Sequence, residues 1–319
     1  MVQAEELRPM INGDDDMDGR EVFSAGGRFL RGNVHTHSTR SDGARSPGDV
    51  CAHYRDMGYD FLCLSDHFLA KFDFPITDTN DYRGDDFMTI LGAEIHAPQN
   101  SQGEIWHVLA CGLPADFDPP FPDERMEALA ARARDAGAFV GIAHPQWSSL
   151  TIEDGRALAD VAHAVEIWNT GCALETGRGD GTALLDQLLN EGHRHLSGYA
   201  TDDAHLKIPD SGGGWMMVKA ERNEPRALLS AMKAGLYYSS QGPAIAAIQT
   251  VGDTLTIRTS PARMISLVGR GSRAETAFSD DGSLTSAELS LQRFVGDWCR
   301  LIVSDGEGRH AWSNPIFPG

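Results

Sequence analysis

A chain of 319 residues is long enough for one barrel-sized domain and a smaller companion. Lys and Arg number 27 against 46 Asp and Glu, so the formal charge of −19 gives a surface field that repels polyanions and disfavours general binding to nucleic acids or anionic membranes. No stretch reaches the roughly 18 apolar residues of a membrane span, no secretion signal opens the chain, and the scattered Cys51, Cys63, Cys111, Cys172 and Cys299 form no C-x-x-C pair, so a cytoplasmic protein with reduced, buried thiols is expected.

Residues 1–28 are polar. Asp14, Asp16, Asp18 and Gly19 follow the first half of a D-x-D-x-D-G calcium loop, but the twelfth position is Ala25 where a bidentate Glu is needed, so a solvated, mobile leader is the better reading. From Phe29 onward, short apolar runs alternate with amphipathic segments, the pattern of parallel strands joined by crossover helices. Strands are predicted over 29–34, 61–64, 89–93, 106–111, 139–143, 165–168 and 196–200. Ser46 as N-cap and Pro47 in the first turn predict a helix that stops at Gly58, and further helices are predicted over 124–136, 182–191 and 225–234. After Gln241, Gly242 and Pro243 the pattern changes to short alternating strands near 254–259, 264–268, 287–291 and 299–303. The plan is a leader (1–28), an α/β unit (29–242) and a small β-sandwich-like domain (243–319).

Six of the twelve histidines fall in a dispersed series with acidic residues: His35-x-His37, Ser-Asp42-Gly, Ser-Asp66-His67, Gly-x-Glu94, His107, Ala-His144-Pro and Asp203-x-His205. Neutral imidazoles and carboxylates are the side chains that hold catalytic divalent metals, and this set is large enough for two or three ions. An H-x-H pair on a strand puts both rings on one face. Most of these groups follow predicted strands, which is where a βα barrel collects its catalytic residues. His107 is the exception, lying inside its predicted strand. No G-x-S-x-G elbow or Walker A loop occurs, and the run from Gly177 to Gly181 lacks the spacing of a dinucleotide fingerprint.

In this order the motifs resemble those of the PHP superfamily, named for polymerases and histidinol phosphatases, over about residues 29–242. Glu166-Ile-Trp-Asn-Thr-Gly and the tail Trp312-Ser-Asn-Pro-Ile further resemble a bacterial branch that includes carbaryl-hydrolase-type proteins. The resemblance implies an α/β fold with a distorted (β/α)7 barrel and three metal subsites. The first would use His35, His37, Glu94 and Asp203, the second Glu94 as a bridge with His107 and His144, and the third Asp42, His67 and His205. Zn, Mn or Fe would suit such mixed ligands, and a shared carboxylate offsets the repulsion between neighbouring cations.

Other side chains carry two readings each. Asp66 is either a ligand or, the favoured reading, a partner that orients His67 or another imidazole. His96 could replace His107 as a ligand or be a neighbouring polar contact, and Asp202 is ambiguous beside Asp203. His53, His163, His193, His195 and His310 match no motif and read as solvent or packing residues. Trp147 is a candidate wall for an aromatic group or plain packing. Arg40, Arg45, Arg178 and Lys207 flank the motifs and could hold an anionic substrate or be solvated loop charges.

Asp42, Glu94 and Asp203 carry fewer negative charges than two or three divalent ions carry positive ones, so a filled site favours an anion. The expected function is a metal-dependent phosphoesterase that cleaves a small-molecule phosphate ester with a metal-bridging hydroxide. Hydrolysis of a carbamate, ester or amide is the alternative, and a non-catalytic binding module is the third reading.

Overall fold

The computed structural model describes residues 18–319, so Asp14 and Asp16 of the calcium-loop pattern lie outside the described residues. Asp18 is engaged by its own neighbour: Arg20 Nε donates to its two carboxylate oxygens at 2.9 and 3.0 Å. The end of the leader is packed rather than mobile. Gly19 N donates to Pro315 O at 2.7 Å, and a one-turn helix, α1 (Glu21–Ser24), buries Val22. A Cβ at position 19 would lie 2.2 Å from the Asn314 carbonyl oxygen, so only glycine fits there.

The ligand-bearing part is built from β1 (Arg28–Asn33), α2 (Pro47–Asp56), β2 (Phe61–Leu64), the two-residue β3 (His67–Phe68), β4 (Met88–Ala97), β5 (Trp106–Cys111), α3 (Met126–Asp135), β6 (Phe139–Ile142), α4 (Ile152–Ala159), β7 (Ala164–Asn169), α5 (Thr170–Thr176), α6 (Thr182–Asn190) and β8 (Ser197–Thr201). The local signals act as predicted. Ser46 Oγ accepts Asp49 N at 3.2 Å at the start of α2, and Gly58, Gly137 and Gly192, all at positive φ, follow α2, α3 and α6. Leu129 on α3, Leu158 on α4 and Leu188 on α6 are fully buried in one apolar cluster with Val140 and Val165 of the sheet. Each such side chain contributes about 1.5–3 kcal/mol on burial.

Pairing is parallel for β1–β2, β2–β4, β6–β7 and β7–β8, but β5 is antiparallel to both β4 and β6. The all-parallel expectation fails at β5 because the loop 98–105 is too short for the crossover that parallel pairing with β4 would need. Two strands not predicted, β9 (Trp215–Ala220) and β10 (Tyr237–Ser240), flank α7 (Pro225–Lys233) and pair antiparallel on the other side of β1. The result is a mixed sheet in an α/β fold. Its β1 and β8 sides meet just beyond the strand ends, where Asp203 N donates to His35 O and His37 N to Ala204 O, both at 2.9 Å, beside a single parallel bridge between Thr36 and Ala204.

The C-terminal segment is all-β: β11 (Ile245–Val251), β12 (Thr254–Ala262), β13 (Met264–Gly269), β14 (Ala274–Phe278), β15 (Leu284–Ser290), β16 (Cys299–Ser304) and β17 (His310–Trp312). Strands β11, β12 and β15 form a separate three-stranded sheet whose Leu255, Ile257 and Leu289 share a core with Ile265 and Leu267 of β13 and Val303 of β16. The other layer is continuous with the main sheet: β17 pairs with β10 through Ser239 opposite Trp312 and Ser240 opposite Ala311. The sandwich-like pattern is thus present, but one of its layers extends the α/β unit.

Candidate metal centre

His35 and His37 directly follow β1, where Asn33 Oδ1 accepts His35 N at 2.9 Å. Glu94 sits near the end of β4, His144 follows β6, and Asp203 and His205 follow β8. His107 reaches the same end from inside β5 because that strand runs backwards, which places it in register opposite His96 of β4. The reversal explains why its position within a strand looked anomalous. His144 at φ +24° and Asp203 at φ +51° occupy the left-handed region, which costs about 1–3 kcal/mol for a residue with a Cβ. Backbone bonds hold both: Glu166 Oε2 accepts His144 N at 2.6 Å, and His35 O accepts Asp203 N at 2.9 Å.

Glu94, fully buried, lies at the middle of six imidazoles among the described residues. Its Oε1 is 2.6 Å from His107 Nδ1, 3.1 Å from His144 Nε2 and 3.6 Å from His35 Nε2. Its Oε2 is 2.6 Å from His67 Nδ1, 3.6 Å from His37 Nε2 and 3.8 Å from His96 Nε2. Burial works to raise the Glu94 carboxyl, but His107 and His67 outweigh it and hold the group well below the usual carboxylate range. Asp203 behaves alike, with burial opposed by His35 and His37. At the rim, burial lowers the His205 imidazole but Asp42, 3.2 Å from its Nε2, pushes it up to about 9.

Among the described residues, four groups have ligand atoms within 4.8 Å of one another: His37, Asp42, His67 and His205; His67, Glu94, His96 and His107; His35, His37 and Glu94; His35, His144 and Asp203. Together they contain the nine side chains singled out from the sequence, plus His96. The first group is the implied third subsite with His37 added. In the others, Asp203 falls with His144 rather than with His37 and Glu94, and His96 joins His107 rather than replacing it.

The residues fit divalent ions on an observation independent of the motifs. His35 Nε2, Asp42 Oδ1 and Glu94 Oε2 are buried atoms without a hydrogen-bond partner, and all three belong to these groups. Glu94 Oε2 is among them despite the 2.6 Å approach of His67, which lacks the alignment of a hydrogen bond. Buried polar atoms left unpaired cost about 1–3 kcal/mol each, so a cluster of them marks a place built for a missing partner.

Asp66 makes its direct hydrogen bonds to a turn rather than to an imidazole. Its carboxylate accepts from Ser38 N at 2.7 Å, Ser38 Oγ and Ser41 Oγ at 2.8 Å and Thr77 Oγ1 at 2.9 Å, so it shapes the turn carrying Asp42 and reaches an imidazole only through Ser41, whose Oγ lies 3.5 Å from His37 Nδ1. Asp202 is likewise structural: it accepts from Asn33, Tyr54 and the amides of Gly212, Gly213 and Gly214, and burial raises its carboxyl. Arg40, Arg45 and Arg178 are exposed and line no part of the cavity over the centre, whereas Lys207 lines it, 3.6 Å from Asp42. Arg40 projects from an open turn, Arg45 faces His53 at 3.2 Å, and Arg178 lies beyond the C-terminal end of α5. The same cavity, about 220 Å³, is lined by Trp147, Cys172 and Glu175 as well. Trp147 stands edge-on to His107 and His144, with ring centroids 5.5 and 5.0 Å away.

Glu166 is the functional residue that motif reading missed. It was visible only as part of the Glu166–Gly171 stretch, without a role. Fully buried on β7, it accepts His35 Nδ1 at 3.1 Å, His144 N at 2.6 Å, Asn169 Nδ2 at 3.1 Å and the Thr201 hydroxyl. The bond to His35 fixes the tautomer that leaves Nε2 bare, facing Glu94 and Asp203. Glu166→Gln puts an amide donor among these donors and is expected to weaken divalent-metal binding about 10–100-fold. Competition against a chelator measures this, and an unaltered affinity would reduce the network to a packing role.

No known family profile matches the chain, and no curated protein matches it in sequence. Among solved structures it is similar to a two-domain protein from Bacteroides vulgatus containing a predicted PHP-like metal-dependent phosphoesterase. The TM-score is 0.54 at 18% identity, covering 95% of this chain and 96% of that one. The two chains share their fold. Weaker similarities, at TM-scores of 0.42 and 0.38, link it to a provisionally assigned metal-dependent phosphoesterase from Bifidobacterium adolescentis and an amidohydrolase from Chromobacterium violaceum. These share 17% and 13% identity and each covers 55% of this chain and 87% of the other.

Proposed function

We propose that this protein is a metal-dependent hydrolase whose substrate is a small-molecule phosphate ester. The observation that carries the reading is the buried Glu94 carboxylate surrounded by six imidazoles, with unpaired ligand atoms beside it. Two or three divalent ions, of Zn, Mn or Fe, would be held by the nine side chains named from the motifs. When bound, they supply a water of lowered pKa and positive charge for a developing oxyanion.

The chain's own residues do the rest. Glu94 offers one oxygen to each side of the cluster and so suits a bridging role. Glu166 and Asn169 hold His35, His144 and Asp203 in place, the latter through Asn169 Nδ2 to Asp203 Oδ2 at 3.1 Å. Lys207, the cation lining the cavity, is placed to meet an anionic substrate oxygen, and Trp147 bounds the space for the leaving group. No role is proposed for Arg40 or Arg178, and Asp66 acts on the reaction through the turn it shapes. Five unpaired, buried cysteines and the acidic surface support a cytoplasmic enzyme without general affinity for nucleic acid. Among the described residues no helix is long and apolar enough to cross a membrane.

Hydrolysis of a carbamate, ester or amide is the second reading, favoured by the Trp147 ring at the cavity and by the Glu175 carboxylate that lines it, a charge unsuited to an anionic substrate. A binding module is disfavoured because no member of the ligand set is missing. Substrate charge separates the enzyme readings. The metal-loaded protein is expected to hydrolyse an aryl phosphate faster than the matching aryl carbamate, with inorganic phosphate as a competitive inhibitor. Carbamate turnover with no action on phosphate esters and no phosphate inhibition would select the second reading.

A further inference from the structure

A histidine that serves a metal characteristically gives its other ring N–H to a carboxylate or a backbone carbonyl, which fixes the tautomer and aims the bare nitrogen. His35 and His205 show this arrangement: their Nδ1 atoms face Glu166 Oε1 at 3.1 Å and the Asp203 carbonyl at 3.0 Å, and neither acceptor can donate in return. His96 shows it too. Its Nδ1 lies 3.0 Å from the Trp106 carbonyl oxygen, so Nδ1 carries the proton and Nε2 keeps its lone pair in the neutral ring. That lone pair points into the centre, within hydrogen-bond reach of His67 Nδ1 at 3.0 Å and 3.8 Å from Glu94 Oε2, and the residue is 3% exposed. His67 Nδ1 meets that lone pair, while the Glu94 Oε2 beside it has no hydrogen-bond partner and leaves room for a shared cation.

We propose that His96 is a tenth metal ligand, which with Glu94 and His107 holds a divalent ion on the β4–β5 side of the cavity. The β4–β5 register makes this possible: His96 and His107 are directly opposed, and their ring centroids are 4.5 Å apart at 88°, a spacing that lets two imidazoles address one point from different directions. His67 shares this group and the group of Asp42 and His205, so it is the link between the two. The motif order that assigns the other nine side chains leaves His96 out.

The inference rests on the metal-centre reading above, and the test separates the two. Wild type, His96→Gln and His96→Ala, each stripped with chelator, are titrated with Co2+ and followed by visible absorption and by metal content after gel filtration. Circular dichroism and thermal unfolding in chelator establish that each variant folds. Wild type is expected to take up two or more ions. Both variants are expected to lose about 100-fold or more in affinity for one of them, with a changed Co2+ spectrum and the remaining uptake intact. Variants that fold and titrate like wild type, with the same spectrum, overturn the role of His96 and leave the metal centre standing. Failure of wild type to bind Co2+, Zn2+ or Mn2+ overturns the metal centre itself. If both variants fail to fold, Co2+-loaded wild type decides: paramagnetically shifted ring resonances of His96 support ligation, and unshifted ones refute it.

Discussion

Glu94→Gln is expected to lower turnover by at least about 1000-fold and to strip metal from more than one group, while the fold persists. The substitution keeps shape and volume, and the backbone of Glu94 stays bonded to Ser65 O and Asp66 O at 3.1 and 3.2 Å. What changes is charge and donor pattern. One carboxylate oxygen becomes an amide nitrogen that cannot accept a metal, yet Oε1 and Oε2 each face three imidazoles. Removing the shared anion also restores the repulsion between neighbouring cations that it offset. Metal analysis, turnover and circular dichroism of the variant check this. Full metal content with near-normal turnover would end the bridging assignment.

Deleting 243–319 is expected to leave no soluble folded protein, a larger effect than loss of an accessory domain. The truncated chain would expose the edge of β10, and with it backbone groups that β17 now pairs. Asn314 would vanish from the interior, where its Oδ1 accepts Gly198 N at 3.0 Å and its Nδ2 donates to Gly235 O and Tyr237 O at 2.9 and 3.0 Å. Buried groups orphaned in this way cost about 1–3 kcal/mol each, against a typical total stability of about 5–15 kcal/mol. The bidentate pair of Arg300 with Asp186 of α6, at 2.9 and 3.0 Å, and the apolar contacts of Phe29 and Tyr238 with the C-terminal core would go as well. Soluble yield, gel filtration and circular dichroism are the measurements. A soluble, folded truncation that binds metal would show the segment to be separable.

The side chains of the centre were legible in the sequence because ligand chemistry and H-x-H spacing are local properties. His35, His37, Asp42, His67, Glu94, His107, His144, Asp203 and His205 are brought together by the fold. The caps at Ser46 and Gly58 and the runs at β2 and β5 were legible for the same reason, since each depends on a few neighbouring residues. Tertiary structure alone decided the rest. The direction of β5, and with it the meeting of His96 and His107, depends on which edge of β4 is free and how far an eight-residue loop can reach. Glu166 and Asp66 acquire their tasks from donors distant in sequence, so no motif could separate the residue that orients His35 from the one that shapes a turn. Arg40 and Arg178 sit beside ligand motifs in sequence yet point to solvent, because adjacency along the chain does not determine which side of a turn faces the cavity. The C-terminal strands looked like a separate unit because alternation reports which face is buried, not which sheet the edge joins.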